Sequence, residues 1–425
     1  MDLKTAPIST PPPGFGQIIL LIFAAESIFL LPFLLARIFR PTFLAVFEIT
    51  NFELGTLYST YGVVALLSYL YGGTLADRYS PRKLMATSLV LTAAGGILMT
   101  QYPSLRLLQI LYGFWGFSTI FLFWAAMIKA TRKWGGHHQQ GRAFGYLEGG
   151  RGLVAALIGG VGVYLLAAFL PNQVEPLSIA ERQASFQSVI WFTTALIALV
   201  GLAVFFFLDD TEMQGTQHQS TAWHHIKTAA QYNVVWYLIV IVVCAYCGYK
   251  VTDILSLYAA EVMGFGEVDA AKVSAFQMYL RPLVCVSVGY LADRQSSSKW
   301  IFYGFVVLLF SAAAFASGKI VATYTPLFIG LVVTTGFGVY SLRTLYFSVI
   351  KEGKIPFTIT GTAVGMISVV GYTPDIFMGP VMGYFLDEYP GMVGHQKVFL
   401  LLAAFALVGS VVAFILKKMV HQNHA

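Results

Sequence analysis

Between Tyr71 and Met85 the chain reads Tyr-Gly-Gly-Thr-Leu-Ala-Asp-Arg-Tyr-Ser-Pro-Arg-Lys-Leu-Met, a charged turn closed between two long apolar stretches. Its core returns as Gly289-Tyr290-Leu291-Ala292-Asp293-Arg294, 216 residues further on. A charged turn repeated at half the chain length points to two related halves. Hydrophobic residues make up 57% of the sequence and charged residues 11%, with a mean hydropathy of +0.72. An ordinary soluble domain carries roughly 25% charged residues, so this chain cannot cover itself with a hydrated surface. Its 425 residues accommodate about twelve apolar spans of roughly 20 residues with short connections. This is the pattern of a polytopic membrane protein.

Apolar runs are expected near 15–38, 54–76, 84–101, 105–128, 143–170 and 187–208. Six more follow near 234–260, 272–292, 300–317, 324–347, 361–386 and 398–416. The division is a tail (1–14), a six-helix bundle (15–208), a linker (209–232), a second six-helix bundle (233–418) and a tail (419–425). The linker holds Asp209, Asp210, Glu212, His218, His224, His225 and Lys227, and reads as a solvated tether rather than a metal site. Lys4, Arg78, Arg82, Lys83, Arg132, Lys133, Arg142, Lys227, Arg294, Lys299, Lys351, Lys354, Lys417 and Lys418 fall on one face. Arg40, Arg106, Arg182, Lys272, Lys319 and Lys397 fall on the other. That bias places both termini and the linker in the cytoplasm, and the formal charge of +6 needs no nucleic-acid partner. Cys244, Cys247 and Cys285 lie in apolar stretches and imply no disulfide framework. The proline-rich start lacks a small-residue cleavage site, so no removable leader is expected.

The doubled Gly-x-Leu-Ala-Asp-Arg turn resembles the signature loop of the major facilitator superfamily. In that family it joins helices 2 and 3, and a weaker copy joins helices 8 and 9. The resemblance implies an all-α integral membrane protein of twelve transmembrane helices in two pseudo-symmetric six-helix bundles, with substrate bound between the halves near the midplane. It also implies a conformational latch formed by Gly73, Asp77, Arg78 and Arg82 with Asp293 and Arg294, in which the acid locks the halves in the outward-facing state. Glycines crowd the fifth span, from Gly145 to Gly162, where small residues allow the backbones of lipid-embedded helices to approach.

Ten charged residues fall within the expected spans: Glu26, Arg37, Lys129, Glu148, Arg151, Lys250, Asp253, Arg281, Arg343 and Asp375. Each costs about 2.5–3.5 kcal/mol at a helix centre on insertion scales, so each is expected to face a wet cavity or a partner. Six are basic and four acidic, and a positive interior favours an anionic solute. Glu148 with Arg151, and Lys250 with Asp253, are three residues apart and read either as structural pairs or as gates. Arg37 reads as a cavity residue or as a side chain snorkelling to the outer interface. Arg281 precedes Pro282, where a kink is expected. Arg343 has no acid near it in sequence.

The segment from Trp124 to Gly152, with Lys129 five residues after Trp124, resembles helices 4 and 5 of the organophosphate:phosphate antiporters. Arg151 falls where those antiporters keep a substrate-contacting His. Tyr249-Lys250-Val251-Thr252-Asp253 resembles their helix 7, but Gly248 stands where they carry a phosphate-binding Arg. The run from Gln140 to Gly152 and Gly371-Tyr372-Thr373-Pro374 resemble, over nearly the whole chain, the YihN-like branch of bacterial facilitators. Offset by 216, Lys129 falls within two residues of Arg343.

The sequence thus implies no enzyme but a secondary transporter of the inner membrane. It would carry a phosphorylated, sulfonated or carboxylated solute by alternating access, coupled to protons or a counter-anion, as a monomer without cofactor or metal. No ATP-binding loop, catalytic constellation or selectivity filter is visible. Lys129, Arg151 and Arg343 are the expected anion site, with Lys250, Arg281 and Arg37 beside them. Glu148 is the first candidate for proton coupling, followed by Asp375, Glu26 and Asp253. The competing readings are proton-driven export of a lipophilic or cationic compound, and a sensor derived from a transporter.

Overall fold

The computed structural model describes residues 14–136, 140–169, 178–209 and 227–422. Its first half comprises α1 (Phe15–Ser27, continued by Leu30–Ile38), α2 (Asn51–Arg78), α3 (Pro81–Met99), α4 (Leu105–Gly135), α5 (Gln140–Phe169) and α6 (Ile179–Phe207). The second comprises α7 (Asn233–Glu261), α8 (Glu267–Arg294), α9 (Ser297–Ala316), α10 (Ala322–Leu345), α11 (Phe357–Gly371 with Pro374–Glu388) and α12 (Met392–Gln422). Among the described residues, nine helices are long and apolar enough to cross a membrane, or ten with the bent pair of α1. The two long helices that fall short are α2 and α8. Both line the junction of the halves, where hydroxyl, amide and charged side chains replace lipid-facing ones.

The duplication extends to single backbone conformations. The ends of α2 and α8 are each separated by 216 residues. Ser80 accepts from the Lys83 N–H at the start of α3, and Ser296 accepts from the Lys299 N–H at the start of α9, at the same offset. Left-handed residues also recur, Glu48 with Gly264 and Tyr102 with Gly318, where the chain reverses between paired helices. An αL residue at a helix C-terminus lets backbone carbonyls be satisfied in a tight turn.

α1 bends by 43° between its two segments. Pro32 has no N–H to give the preceding turn, and the chain widens into a π-turn over Leu30–Leu34, in which Leu34 N reaches back to Phe29 O at 3.3 Å. A short helix, Arg40–Phe47, then carries the chain to the far face. The expected second span is correspondingly longer, starting at Asn51, where Thr50 and Glu53 form a capping box. Pro282 is carried within α8 without ending it.

Two buried apolar clusters form the cores of the halves; Ala271, Ala275 and Met278 of α8 join the first. Large apolar side chains such as Leu199, Phe206, Phe207, Val286, Leu400 and Leu407 lie exposed on the outside, as a lipid-facing surface requires. Because apolar burial does not drive helices together in lipid, the halves join through small residues and polar contacts. A Cβ on Gly55 would lie 2.4 Å from the Gly379 carbonyl carbon, and one on Gly383 would lie 2.4 Å from the Asn51 oxygen. These glycines bring α2 and the second segment of α11 into backbone contact. α5 and α8 form the other large contact between halves.

The closed side lies opposite the signature loops. There Asp387 Oδ1 accepts from the Asn51 backbone and side-chain nitrogens, each at 3.0 Å, and Oδ2 accepts from the Phe52 N–H at 2.6 Å. Glu267 at the start of α8 accepts from the Thr42 hydroxyl at 2.7 Å and pairs with Arg182 at 2.9 Å. Both carboxylates thus lock a helix N-terminus of one half to the other half. Toward the loops, positions Gly73, Gly145, Gly149 and Gly289 have no neighbouring atom within 4 Å of an added Cβ.

Candidate functional site

Nine of the ten charged residues expected inside the spans meet near the middle of the molecule. They form two charge-balanced arrays and one cation without a carboxylate partner among the described residues.

The first array is a ring. Arg151 of α5 donates through Nε to Glu26 Oε2 of α1 at 3.1 Å and through Nη1 to Glu148 Oε1 at 2.8 Å. Arg281 of α8 donates to Glu148 Oε2 at 3.1 Å, and its Nη1 lies 4.0 Å from Glu26 Oε2. Two guanidiniums are thus shared by two carboxylates, and the ring closes only because Arg281 comes from the other half. Gly152 makes room for it: a Cβ there would lie 2.9 Å from the Arg281 side chain. The Glu148 side chain is 49% exposed, so the ring is reached by water on that edge. Charge-assisted forks of this kind hold geometry as well as charge.

The second array lies between α1, α7 and α11. Arg37 donates to Asp253 and to the Tyr249 hydroxyl, and Ser256 donates to the Arg37 carbonyl. Lys250 Nζ sits 3.5 Å from Asp253 Oδ2 and 3.2 Å from Asp375 Oδ1. Asp375 also accepts from the Tyr246 hydroxyl at 3.0 Å. The Lys250 ammonium rests over the rings of Tyr58 and Phe33, at 4.6 and 4.9 Å from their centroids. Arg37 is buried and pairs across the halves, so it does not snorkel outward. Arg37 and Asp253 are separated by 216 residues, which makes this pair a contact between repeat-equivalent positions.

Arg343 of α10 is the remaining cation. Its guanidinium stacks 3.8 Å from the centroid of the Tyr249 ring and 5.8 Å from that of Tyr246. Its Nη1 is buried and has no hydrogen-bond partner among the described residues. Glu26, Arg37, Tyr249, Arg281 and Tyr340 line a small cleft between the arrays, with room for about one water molecule.

Lys129, expected in this group, is elsewhere. Its ammonium donates to the Ala76 carbonyl at 2.7 Å, at the last turn of α2, where free carbonyls and the negative helix end favour a cation. Of the expected latch, Arg294 lies over the Tyr290 ring at 4.2 Å and Gly73 faces open space, while the Asp77 side chain lies outside the described residues. A Cβ on Gly248 would meet Leu308 Cδ2 at 2.9 Å, so an arginine there has no direct way into the cleft. Tyr246 was not singled out by sequence, and Tyr249 only as the first residue of the segment that resembles helix 7 of the antiporters; their spacing one turn before Lys250 and Asp253 was the available signal for a site role.

The sequence profile described as the Major Facilitator Superfamily matches residues 15–372. The chain belongs to the Major Facilitator Superfamily. It is a multi-pass membrane transporter. It is 26% identical over 418 residues to the inner membrane protein YihN of Escherichia coli (strain K12), covering 95% of each chain. It is also 26% identical over 373 residues to the inner membrane protein YqcE of the same organism, covering 86% of this chain and 85% of that one. Among solved structures, the nucleoside transporter NupG superposes with a TM-score of 0.67 at 15% identity, covering 95% of this chain and 98% of that one. A bacterial homolog of the human lysosomal transporter Spinster, inward-facing and occupied, gives a TM-score of 0.69 at 14% identity over 94% and 95%. At these identities the likenesses carry the fold.

Proposed function

We propose that this superfamily member is a secondary transporter of a small organic anion in the bacterial inner membrane, with both termini cytoplasmic. The observation that carries the reading is Arg343, a cation stacked on the Tyr249 ring that lines the cleft, with no carboxylate partner among the described residues and flanked by two arrays whose acids are already paired. A half-buried guanidinium whose Nη1 is buried without a hydrogen-bond partner among the described residues is costly, and a solute anion is what would compensate it. The membrane assignment draws on the two inner membrane relatives, and the orientation on the Lys and Arg bias. With the loops in the cytoplasm, the structure is open inward and closed toward the outside.

The headgroup binds Arg343 on α10 and reaches Arg151 and Arg281 as the halves close. Competition for Arg151 and Arg281 releases Glu148, which makes it the carboxylate that couples transport to protons; Asp375, Glu26 and Asp253 stand behind it. Coupling to a counter-anion is the other arrangement. Purified protein is tested by thermal shift against sugar phosphates, sulfonates and carboxylates, since a ligand of the folded state raises Tm by mass action. At least one anion is expected to raise Tm in the wild type and not in Arg343→Ala. If no anion does so while lipophilic cations do, the chain is an exporter of cations.

A further inference from the structure

We propose that the cleft is matched to a single negative charge, so that the transporter takes an organic monoanion, a carboxylate, sulfonate or sulfate ester, in preference to a phosphate dianion. This rests on the anion-transporter reading above.

Arg37 and Arg281 at the cleft, with Arg151, Lys250 and Arg343 beside it, contribute five positive charges. Glu26, Glu148, Asp253 and Asp375 contribute four negative ones, every one of which touches a cation. With all four carboxylates ionised, as their ion pairs hold them before Glu148 is released, one monoanion on Arg343 brings the assembly to neutrality. A dianion leaves it one negative charge in excess among groups that, Glu148 apart, are buried or half-buried, where an uncompensated charge is disfavoured. Two further cations of the described residues, Lys129 and Arg40, are engaged elsewhere. Lys129 is held on the Ala76 carbonyl. Arg40 donates to Asn51 Oδ1 at 2.9 Å, and Asn51 in turn donates to Asp387, which places Arg40 in the far-face seal. At position 248, packing against Leu308 leaves no room for an added base directed at the cleft.

Sulfate and phosphate esters share a tetrahedral head and differ in charge. The second phosphate ionisation lies near pH ~6, so at pH 8 the phosphate is a dianion and the sulfate a monoanion. Full-length protein in nanodiscs is titrated at pH 8 with glucose 6-sulfate and glucose 6-phosphate, and with phenyl sulfate and phenyl phosphate, with glucuronate as the carboxylate. The sulfate ester of a binding pair is expected to bind at least ten-fold more tightly than its phosphate. Glu148→Gln adds one net positive charge and should move that ratio at least ten-fold toward phosphate. Asp375→Asn makes the same change in charge and serves if Glu148→Gln does not fold. Arg343→Lys should keep the sulfate preference, and Arg343→Ala should lose binding of both. Equal or tighter binding of phosphate, or a ratio that neither neutralising variant moves, overturns charge matching while leaving the anion reading intact. Failure of every sulfate, phosphate and carboxylate to bind overturns both.

Discussion

Arg343 is the residue on which the chemistry turns, because the guanidiniums of Arg37, Arg151 and Arg281 already have carboxylate partners. Arg343→Ala is expected to raise the Kd of a bound anion about 10- to 150-fold, the equivalent of about 1.5–3 kcal/mol for a lost charged hydrogen bond. Lys129→Ala should change that Kd much less, since its ammonium is committed to a helix end; titration calorimetry on the two variants separates them. An equal loss in both would place Lys129 back at the anion. All nine charged members of the site, the two arrays together with Arg343, were legible in sequence, because a charge inside an apolar run stands out. Its pairing was not. Local spacing identified Glu148 with Arg151 and Lys250 with Asp253, but the bonds from Arg281 to Glu148 and from Arg37 to Asp253 join residues 133 and 216 apart. No helical periodicity reports those.

At the scale of helices, the contact of α2 with α11 is made of backbone rather than side chains. Gly55, Gly379 and Gly383 leave no space for a Cβ, so a branched side chain at any of them must push the halves apart on the closed side. Gly379→Val is expected to fold and insert, because each half keeps its own core, yet to lose most transport by preventing this closure. Uptake into proteoliposomes, with Tm as the control for folding, checks it; full transport would mean that the contact is dispensable. The glycine-rich α5 was visible in sequence as a packing surface, whereas the pair α2 and α11 was not. Gly379 lies just before Pro380 in a run that reads as an ordinary apolar span, and its partner is more than 300 residues away. The signature loops were legible because charge interrupts apolarity. The far-face carboxylates Glu267 and Asp387 were not, since an acid at a helix end is what any span boundary shows.

For the whole molecule, transport as proposed above makes the closed far face and the open loop face together one state of an alternating-access equilibrium, whose position the far-face seal would set. Asp387 caps the N-terminus of α2 from the other half, and Glu267 ties the start of α8 to Thr42 and Arg182. A lost cap costs about 0.5–2 kcal/mol, and every 1.4 kcal/mol is about tenfold in population. Asp387→Ala combined with Glu267→Ala should therefore shift the protein toward the state closed at the loops. Cys285 is a native reporter. It lies on α8 one turn beyond Arg281, accepts from the Thr344 hydroxyl at 3.0 Å and is partly exposed, whereas Cys244 and Cys247 are buried. Labelling of Cys285 by an impermeant maleimide from the loop side should slow at least several-fold in the double variant. A bound anion should slow it in the wild type as well, because Cys285 lies one turn from Arg281 on the same helix. A cysteine at Ser59, whose hydroxyl now bonds the Ile376 carbonyl across the halves, should label faster from the opposite side. If both rates stay at their wild-type values while the variant remains folded, the far-face carboxylates do not set the equilibrium. The restraint must then reside in the central contacts of Arg37 with Asp253 and of Arg281 with Glu148.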